Sequence, residues 1–425
     1  MNFNVSAMKP KSKLVVIGGG AAGFFCAVNA ARLNPNLKVI LLEKSSKLLS
    51  KVKISGGGRC NVTHACFSIP ELLKFYPRGT TMLKKAFHQF NTQHTVEWFS
   101  ARGVELKTEP DGRMFPKSDS SQTIIDCLLN EVNKYGVEVR MNADVVELKT
   151  KSLTDYDPVF EITFRNQQTL MADYVCIACG GFPKAEQFEW ITKLGHHIQA
   201  PVPSLFTFNI PDNAITSLMG IAVAEANVKI IGSKLQQSGP LLITHWGLSG
   251  PAVLKLSAWA ARELAGSNYR FDIMVNWLPQ YNEQSLKEKF RTLRYDLASQ
   301  KIINRNPFAL PSRLWEHFLL RCELNADLRW ADLPAKAENK LINMICSGVF
   351  EVKGKTTFKE EFVTAGGIET AEIDAQTMES KFVKGLFFAG EIIDADGVTG
   401  GFNFQNAWTT GWIAASSIAI SAAVE

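Results

Sequence analysis

Several things are missing from this chain of 425 residues, and each absence narrows what it can be. Apart from one stretch near the C-terminus, no long uncharged apolar run is present. That stretch, residues 411–424, is too short to span a bilayer and is rich in Ser and Ala, so it reads as a buried core helix. Residues 1–13 contain no apolar segment of signal-peptide type, which sets a cytoplasmic expectation. Charge of one sign is also scarce. The 46 basic and 41 acidic residues are dispersed and leave a net +5, without the basic clustering that nucleic-acid binding requires. The eight cysteines are scattered, so no disulfide framework is expected. Cys176 and Cys179 form a C-x-x-C, but inside an apolar strand-like run, where positions three apart face opposite sides; buried thiols are the better reading. There are no internal repeats and no low-complexity tract. No metal-ligand spacing stands out.

What is present begins at residue 14. Leu14–Ile17 is a short β-branched apolar run, as a buried parallel strand requires. Gly18, Gly20 and Gly23 then fit G-x-G-x-x-G at a strand-to-helix turn, with Ala22 inside it. Gly18 allows the tight turn, Gly20 lets a pyrophosphate approach the backbone, and Gly23 lets the following helix pack on the strand. The helix N-terminus offers N–H groups and partial positive charge to the phosphates. A second strand, residues 38–42, ends at Glu43, twenty residues after Gly23, where a carboxylate can accept from a ribose 2′-hydroxyl. Together these features predict dinucleotide binding. A Gly-rich turn in an unrelated α/β unit is the plain alternative.

Along the chain, residues 14–44 read β-α-β, 53–61 a Gly-rich loop, 80–102 one helix, and 121–134 a helix ending near Gly136. Alternating segments at 143–149, 158–164 and 169–171 suggest a small antiparallel sheet, followed by a buried strand from Tyr174 to Ala178. The style then changes. Residues 204–280 carry alternating runs separated by Gly and Pro, and 281–346 are mainly helical. From about Phe362 the α/β style resumes, with a buried strand at 385–389 and a helix at 407–420. The predicted organisation is an α/β nucleotide-binding domain (1–203 and 362–425) interrupted by an inserted β-plus-helical domain (204–361) that recognises substrate.

Three further segments point to the same chemistry. Lys53–Asn61 (KISGGGRCN) brings backbone close to a ligand at Gly58, with Lys53 and Arg59 available to an anion and Cys60 and Asn61 beside them. Tyr174–Gly181 ends an apolar strand in small residues, so Gly180 can approach a nucleotide at the carboxyl edge of a sheet. Residues 385–406 lead from a strand through Gly390 and Glu391, which can accept from a polyol chain, to Gly400, Gly401 and Asn403 at a helix start. A helix N-terminus there stabilises negative charge on the ring of a reduced flavin. In the insert, His245 precedes Gly247-Leu-Ser-Gly-Pro251 and can accept a substrate proton; a turn histidine bonded to backbone is the bland alternative. Cys60 can act as a thiolate if Arg59 lowers its pKa, or simply pack.

Read in order, the fingerprint, Ile54–Asn61, Gly112–Pro116, Thr244–Pro251, Thr364–Gly367, Thr377–Lys381 and the block from Ala389 to Gly401 resemble the bacterial FAD-dependent oxidoreductase family that includes aminoacetone oxidase and the flavin reductases of bile-acid metabolism. The resemblance covers nearly the whole chain. It implies a Rossmann-like FAD-binding domain of glutathione-reductase type and non-covalent FAD. Lys44 and Val145 join the residues named above as cofactor contacts. One departure is visible: Cys179 stands where the family often has Thr, and Phe182-Pro-Lys-Ala-Glu-Gln follows, which suggests a separate subgroup. The expected activity is hydride transfer between a small organic substrate and flavin N5, the flavin performing the redox chemistry. No second G-x-G-x-x-G follows a strand, so no dedicated NAD(P)H domain is evident, and the redox partner is either dioxygen or NAD(P)H docking at the flavin. Two other readings stay open: an FAD-dependent RNA-modifying enzyme, and a flavin-binding sensor or scaffold without turnover. The sequence leaves the substrate and the oligomeric state undetermined.

Overall fold

A computed structural model describes residues 12–152, 158–357 and 363–424. It divides into two compact units, one formed by Met1–Val202 with Val363–Glu425 and the other by Pro203–Phe362.

The first unit is built on a five-stranded parallel sheet. Its order is Leu386–Phe388, Tyr174–Ile177, β1 (Lys13–Ile17), β2 (Lys38–Leu42), Glu138–Arg140. The central strands are almost wholly buried, as crossover helices on both faces require. Helix α1 (Ala21–Leu33) connects β1 to β2. It packs against the long helix Phe402–Val424, and Gly411 makes that approach possible: a Cβ there would sit 2.7 Å from the Ala22 carbonyl oxygen. The long helix is apolar enough and long enough to cross a membrane by composition alone, but half of its most apolar window is buried in the protein. It begins at Phe402, five residues earlier than the sequence pattern predicts, because Gly400 and Gly401, both with positive φ, end the preceding loop.

Two other predicted elements differ. The helix expected over 80–102 is two helices, Thr80–Gln89 and Thr92–Ser100. Asn91 breaks it by starting the second with a capping box, its side chain accepting from Gln93 N–H while His94 accepts from its own N–H. The loop expected over 53–61 begins as helix α2 (Ser50–Gly58), which breaks at Ser55 because Gly56 and Gly57 are left-handed. The small antiparallel sheet lies at Val145–Ser152, Pro158–Phe164 and Thr169–Ala172.

The second unit holds a seven-stranded sheet and the helices Glu283–Asp296, Ser312–Arg321 and Ala335–Cys346. Its core is aromatic, with Trp277, Trp315 and Trp330 fully buried. The chain leaves the first unit along the strand Ile198–Ser204 and returns along Val363–Ile368, and these two strands pair with each other.

Candidate active site

The G-x-G-x-x-G glycines are forced by packing in two places and by open space in the third. A Cβ on Gly18 would lie 2.4 Å from the Ala178 carbonyl oxygen, and one on Gly23 would lie 1.9 Å from the Gly18 carbonyl oxygen. At Gly20, the N-cap of α1, nothing lies within 4 Å of where a Cβ would be. No side chain caps α1, and Phe24 is the first residue whose N–H reaches back to a helical carbonyl, at Gly20. The N–H groups before it face an open cradle, the form an anion site at a helix start takes. Ala22, in that first turn, packs on Gly390.

Glu43 follows β2 and turns its carboxylate back to the same loop. Oε2 accepts from Gly19 N–H at 2.9 Å and Oε1 from Ser45 N–H at 2.8 Å. Its own carbonyl accepts from Ala143 N–H at 2.9 Å, which brings the start of the strand containing Val145 beside it. Lys44 places Nζ 5.8 Å from the Phe182 ring centroid.

Gly180 has a positive φ with nothing near its missing Cβ, whereas Gly181 is tight: a Cβ there would lie 2.6 Å from Thr364 Oγ1 and 3.0 Å from Glu391 Oε1. Glu391 Oε1 accepts from Thr364 N–H at 2.8 Å, and Oε2 pairs with Lys51 Nζ at 2.7 Å. Thr364 Oγ1 is buried with no hydrogen-bond partner among the described residues. A buried hydroxyl without a partner is costly unless a bound group satisfies it. This orphan hydroxyl and the open cradle at Gly20 both lie along the carboxyl edge of the parallel sheet, and together they fit a dinucleotide cofactor lying across that edge. Sequence reasoning missed Thr364 and Lys51. The Thr-Ala-Gly-Gly run around Thr364 was a visible signal; nothing set Lys51 apart from its neighbours.

Other expected contacts are engaged differently. Arg59 is held by Glu109 at 3.0 Å and Asp119 at 3.6 Å and lies 4.0 Å over the Phe115 ring, so its charge is matched by carboxylates rather than left for a phosphate. Lys53 is exposed. Gly58 is left-handed with open space at its Cβ position. Asn403 does not present its amide to a ligand: Oδ1 accepts from Gly397 N–H at 2.8 Å and Nδ2 donates to the Gly397 carbonyl at 2.7 Å, closing the loop before the long helix. Asn61 plays a similar part, its oxygen accepting from Gly401 N–H at 2.9 Å and its nitrogen donating to the Thr63 carbonyl at 2.9 Å. The helix start at Gly400–Gly401 is thus held against the segment that follows the triple glycine.

The thiolate role for Cys60 fails on burial. Its side chain is fully buried, and desolvation pushes the thiol up to about 12, so it stays protonated and packs. Cys179 is likewise pushed up to about 12, and all eight cysteines are free. His245 belongs to the second unit. It is exposed in the turn between Gln236–Thr244 and Gly247–Ser249, its ring 4.0 Å from that of Trp246. The turn is closed by Thr244 Oγ1 donating to the Gly247 carbonyl and by Ile210 N–H donating to the Trp246 carbonyl, without the imidazole.

A parallel sheet with a glycine cradle, a carboxylate on the glycine turn and a polar carboxyl edge is the frame of a Rossmann-type dinucleotide-binding domain, and the family match makes it that of an FAD-binding oxidoreductase. Within that class the chain belongs to the HI0933-like protein Rossmann domain family, which matches residues 12–417. It is 26% identical to a 3-dehydro-bile acid delta(4,6)-reductase of Clostridium scindens, over 96% of this chain and 99% of that protein. It is 28% identical to ribosomal RNA dihydrouridine synthases of Haemophilus influenzae, over 97% of this chain and 99% of the relative, and of Escherichia coli, over 95% and 97%. Among solved structures, a 3-ketosteroid delta1-dehydrogenase of Sterolibacterium denitrificans shares the fold at a TM-score of 0.52 and 13% identity, covering 97% of this chain and 100% of that one. A 3-ketosteroid-delta4-(5alpha)-dehydrogenase of Rhodococcus jostii does so at 0.51 and 14%, covering 98% and 99%.

Proposed function

We propose that this FAD-dependent oxidoreductase reduces a carbon–carbon double bond conjugated to a carbonyl in a small organic substrate. The observation that carries the reading is an agreement in bond type between relatives with unlike substrates. One is named for reducing a delta(4,6) bile acid with a 3-keto group, the other for making dihydrouridine, and both products arise by saturating an alkene conjugated to a carbonyl. When bound, reduced FAD would supply the hydride for the carbon β to the carbonyl, and a proton held by the protein would complete the α carbon, so that the alkene would become a single bond.

The chain's own groups bind and orient. The α1 start at Gly20 takes the diphosphate, Glu43 accepts from the adenosine ribose, and the edge formed by Gly180, Gly181, Thr364, Gly390 and Glu391 receives the polyol. The helix start at Gly400–Gly401 opposes negative charge on the reduced ring. His245 is our candidate for carrying the substrate proton. NADH or NADPH, docking without a domain of its own, is our choice of electron donor.

A second reading, reduction of a uridine within RNA, draws on the two RNA-named relatives and on charge placement. Residues 203–362 hold 19 Lys and Arg against 15 Asp and Glu, +4 of the whole chain's +5. Anaerobic stopped-flow spectroscopy separates the possibilities. The flavin is expected to bleach with NADH or NADPH and to recover its colour with a 3-keto-4,6-diene steroid acid. Recovery with ribosomal RNA alone would favour the second reading. Bleaching by amines, with no conjugated alkene restoring colour, would overturn both. His245→Gln is expected to slow reoxidation by about 10²–10⁴-fold if the imidazole carries the proton. A wild-type rate would remove it from the chemistry.

A further inference from the structure

One ion pair crosses the edge where the cofactor is expected. Leu49, the N-cap of α2, donates its N–H to the Gly19 carbonyl at 2.9 Å, which fastens the start of α2 to the glycine turn after β1. Two residues on, Lys51 Nζ reaches Glu391 Oε2 at 2.7 Å. Glu391 lies in the turn Gly390–Ile392, just past the outermost strand Leu386–Phe388. Between that strand and β1 lies Tyr174–Ile177, which runs on to Gly180 and Gly181, and Gly181 packs against Glu391 itself. The Lys51–Glu391 bridge therefore runs over the carboxyl end of the middle strand, beside the open cradle at Gly20.

The two ends of the pair are held unequally. The Glu391 side chain is 18% exposed and is fixed by Thr364 N–H, whereas the Lys51 side chain is 51% exposed. A half-exposed lysine in an ion pair contributes little to stability and is readily drawn to a stronger anion.

Resting on the FAD reading of this edge, we propose that Lys51 is a latch that exchanges partners. With the site empty it neutralises Glu391; on cofactor binding it transfers to the diphosphate. The exchange has two effects. It adds a cation to a cradle otherwise made of backbone N–H groups, and it frees Glu391 Oε2 to accept from a hydroxyl of the ribityl chain. Glu391 would otherwise be a partly buried carboxylate without its counter-charge, so the latch also keeps the site intact before the cofactor binds.

The test is titration of FAD-depleted protein with FAD, ADP and riboflavin at low and high salt, for wild type, Lys51→Met and Lys51→Arg. Lys51→Met is expected to bind FAD and ADP at least tenfold more weakly, with a flatter salt dependence, since a screened charge–charge contact is gone. Its riboflavin affinity is expected to equal or exceed that of wild type, because Glu391 Oε2 is already free for the ribityl chain, and Lys51→Arg to stay within a few-fold throughout. Circular dichroism and melting establish that the variants are folded. If Lys51→Met binds FAD as tightly as wild type or more tightly, the lysine merely competes with the cofactor and the proposal falls. It falls equally if riboflavin loses as much as FAD, because Lys51 then acts only by positioning Glu391. Wild-type protein that takes up no FAD would overturn the cofactor reading of this edge, and the latch with it.

Discussion

At Glu43 one carboxylate already accepts from Gly19 and Ser45 before any ribose arrives. It therefore organises the turn in addition to the sugar-reading role proposed for it, and the two roles separate by substitution. Glu43→Ala removes a charge-assisted acceptor worth about 1.5–3 kcal/mol, which corresponds to FAD affinity roughly ten- to a hundredfold weaker. Glu43→Gln keeps an oxygen for Gly19 N–H and is expected to fall between wild type and Glu43→Ala. Equilibrium titration of the stripped protein checks both, and unchanged affinity in a folded Glu43→Ala variant would remove the residue from the site. Arg59 and Asn403 show where reasoning from residue type alone goes astray. Both have the chemistry to touch a cofactor, yet Glu109 and Asp119 claim the first and the Gly397 peptide claims the second. Partners distant in sequence decide such cases, and periodicity does not reveal them.

At the scale of elements, most strands of the parallel sheet were legible because they are short apolar runs bounded by glycine or charge. Helix limits were less so. The break at Asn91 carried a capping signal inside an otherwise helical apolar pattern, and the start of the long helix was hidden in a run of Gly, Asn and Phe. Gly411 was invisible as a contact, because only the crossing of the long helix over α1 brings it to the Ala22 carbonyl. Gly411→Val should force the helices apart. Overpacking of this kind costs about 1–3 kcal/mol, and here it would also shift Ala22 in the first turn of α1. The expected outcome is a lower melting temperature together with weaker FAD retention, measured by thermal denaturation with and without added FAD. A variant that melts like wild type would show that the crossing tolerates a larger side chain.

For the whole molecule, the paired strands Ile198–Ser204 and Val363–Ile368 place the outgoing and returning chain side by side. Gly366 has no room for a Cβ, which would lie 2.7 Å from the Ala200 carbonyl oxygen. Ends this close can be joined by a short linker. Replacing residues 204–361 with a few Gly and Ser is expected to leave a protein that still binds FAD and no longer turns over substrate. Flavin fluorescence and the stopped-flow assay read the two properties separately. A folded, FAD-binding product with full activity would refute the assignment of substrate recognition to the insert.

The same topology sets an order of events during synthesis. The sheet of the first unit takes four strands from before the insert and its fifth, Leu386–Phe388, from after it, and the long helix that covers α1 comes later still. At about 5–20 residues per second, translation of the roughly 210 residues between the fourth strand and the fifth takes on the order of 10–40 s. Throughout that interval the glycine turn and Glu43 exist on the ribosome, but Glu391, Gly400 and Gly401 do not. A nascent chain can complete its insert while this edge of its first sheet still lacks one wall; on our reading of that edge as the cofactor site, capture waits for the final stage of synthesis.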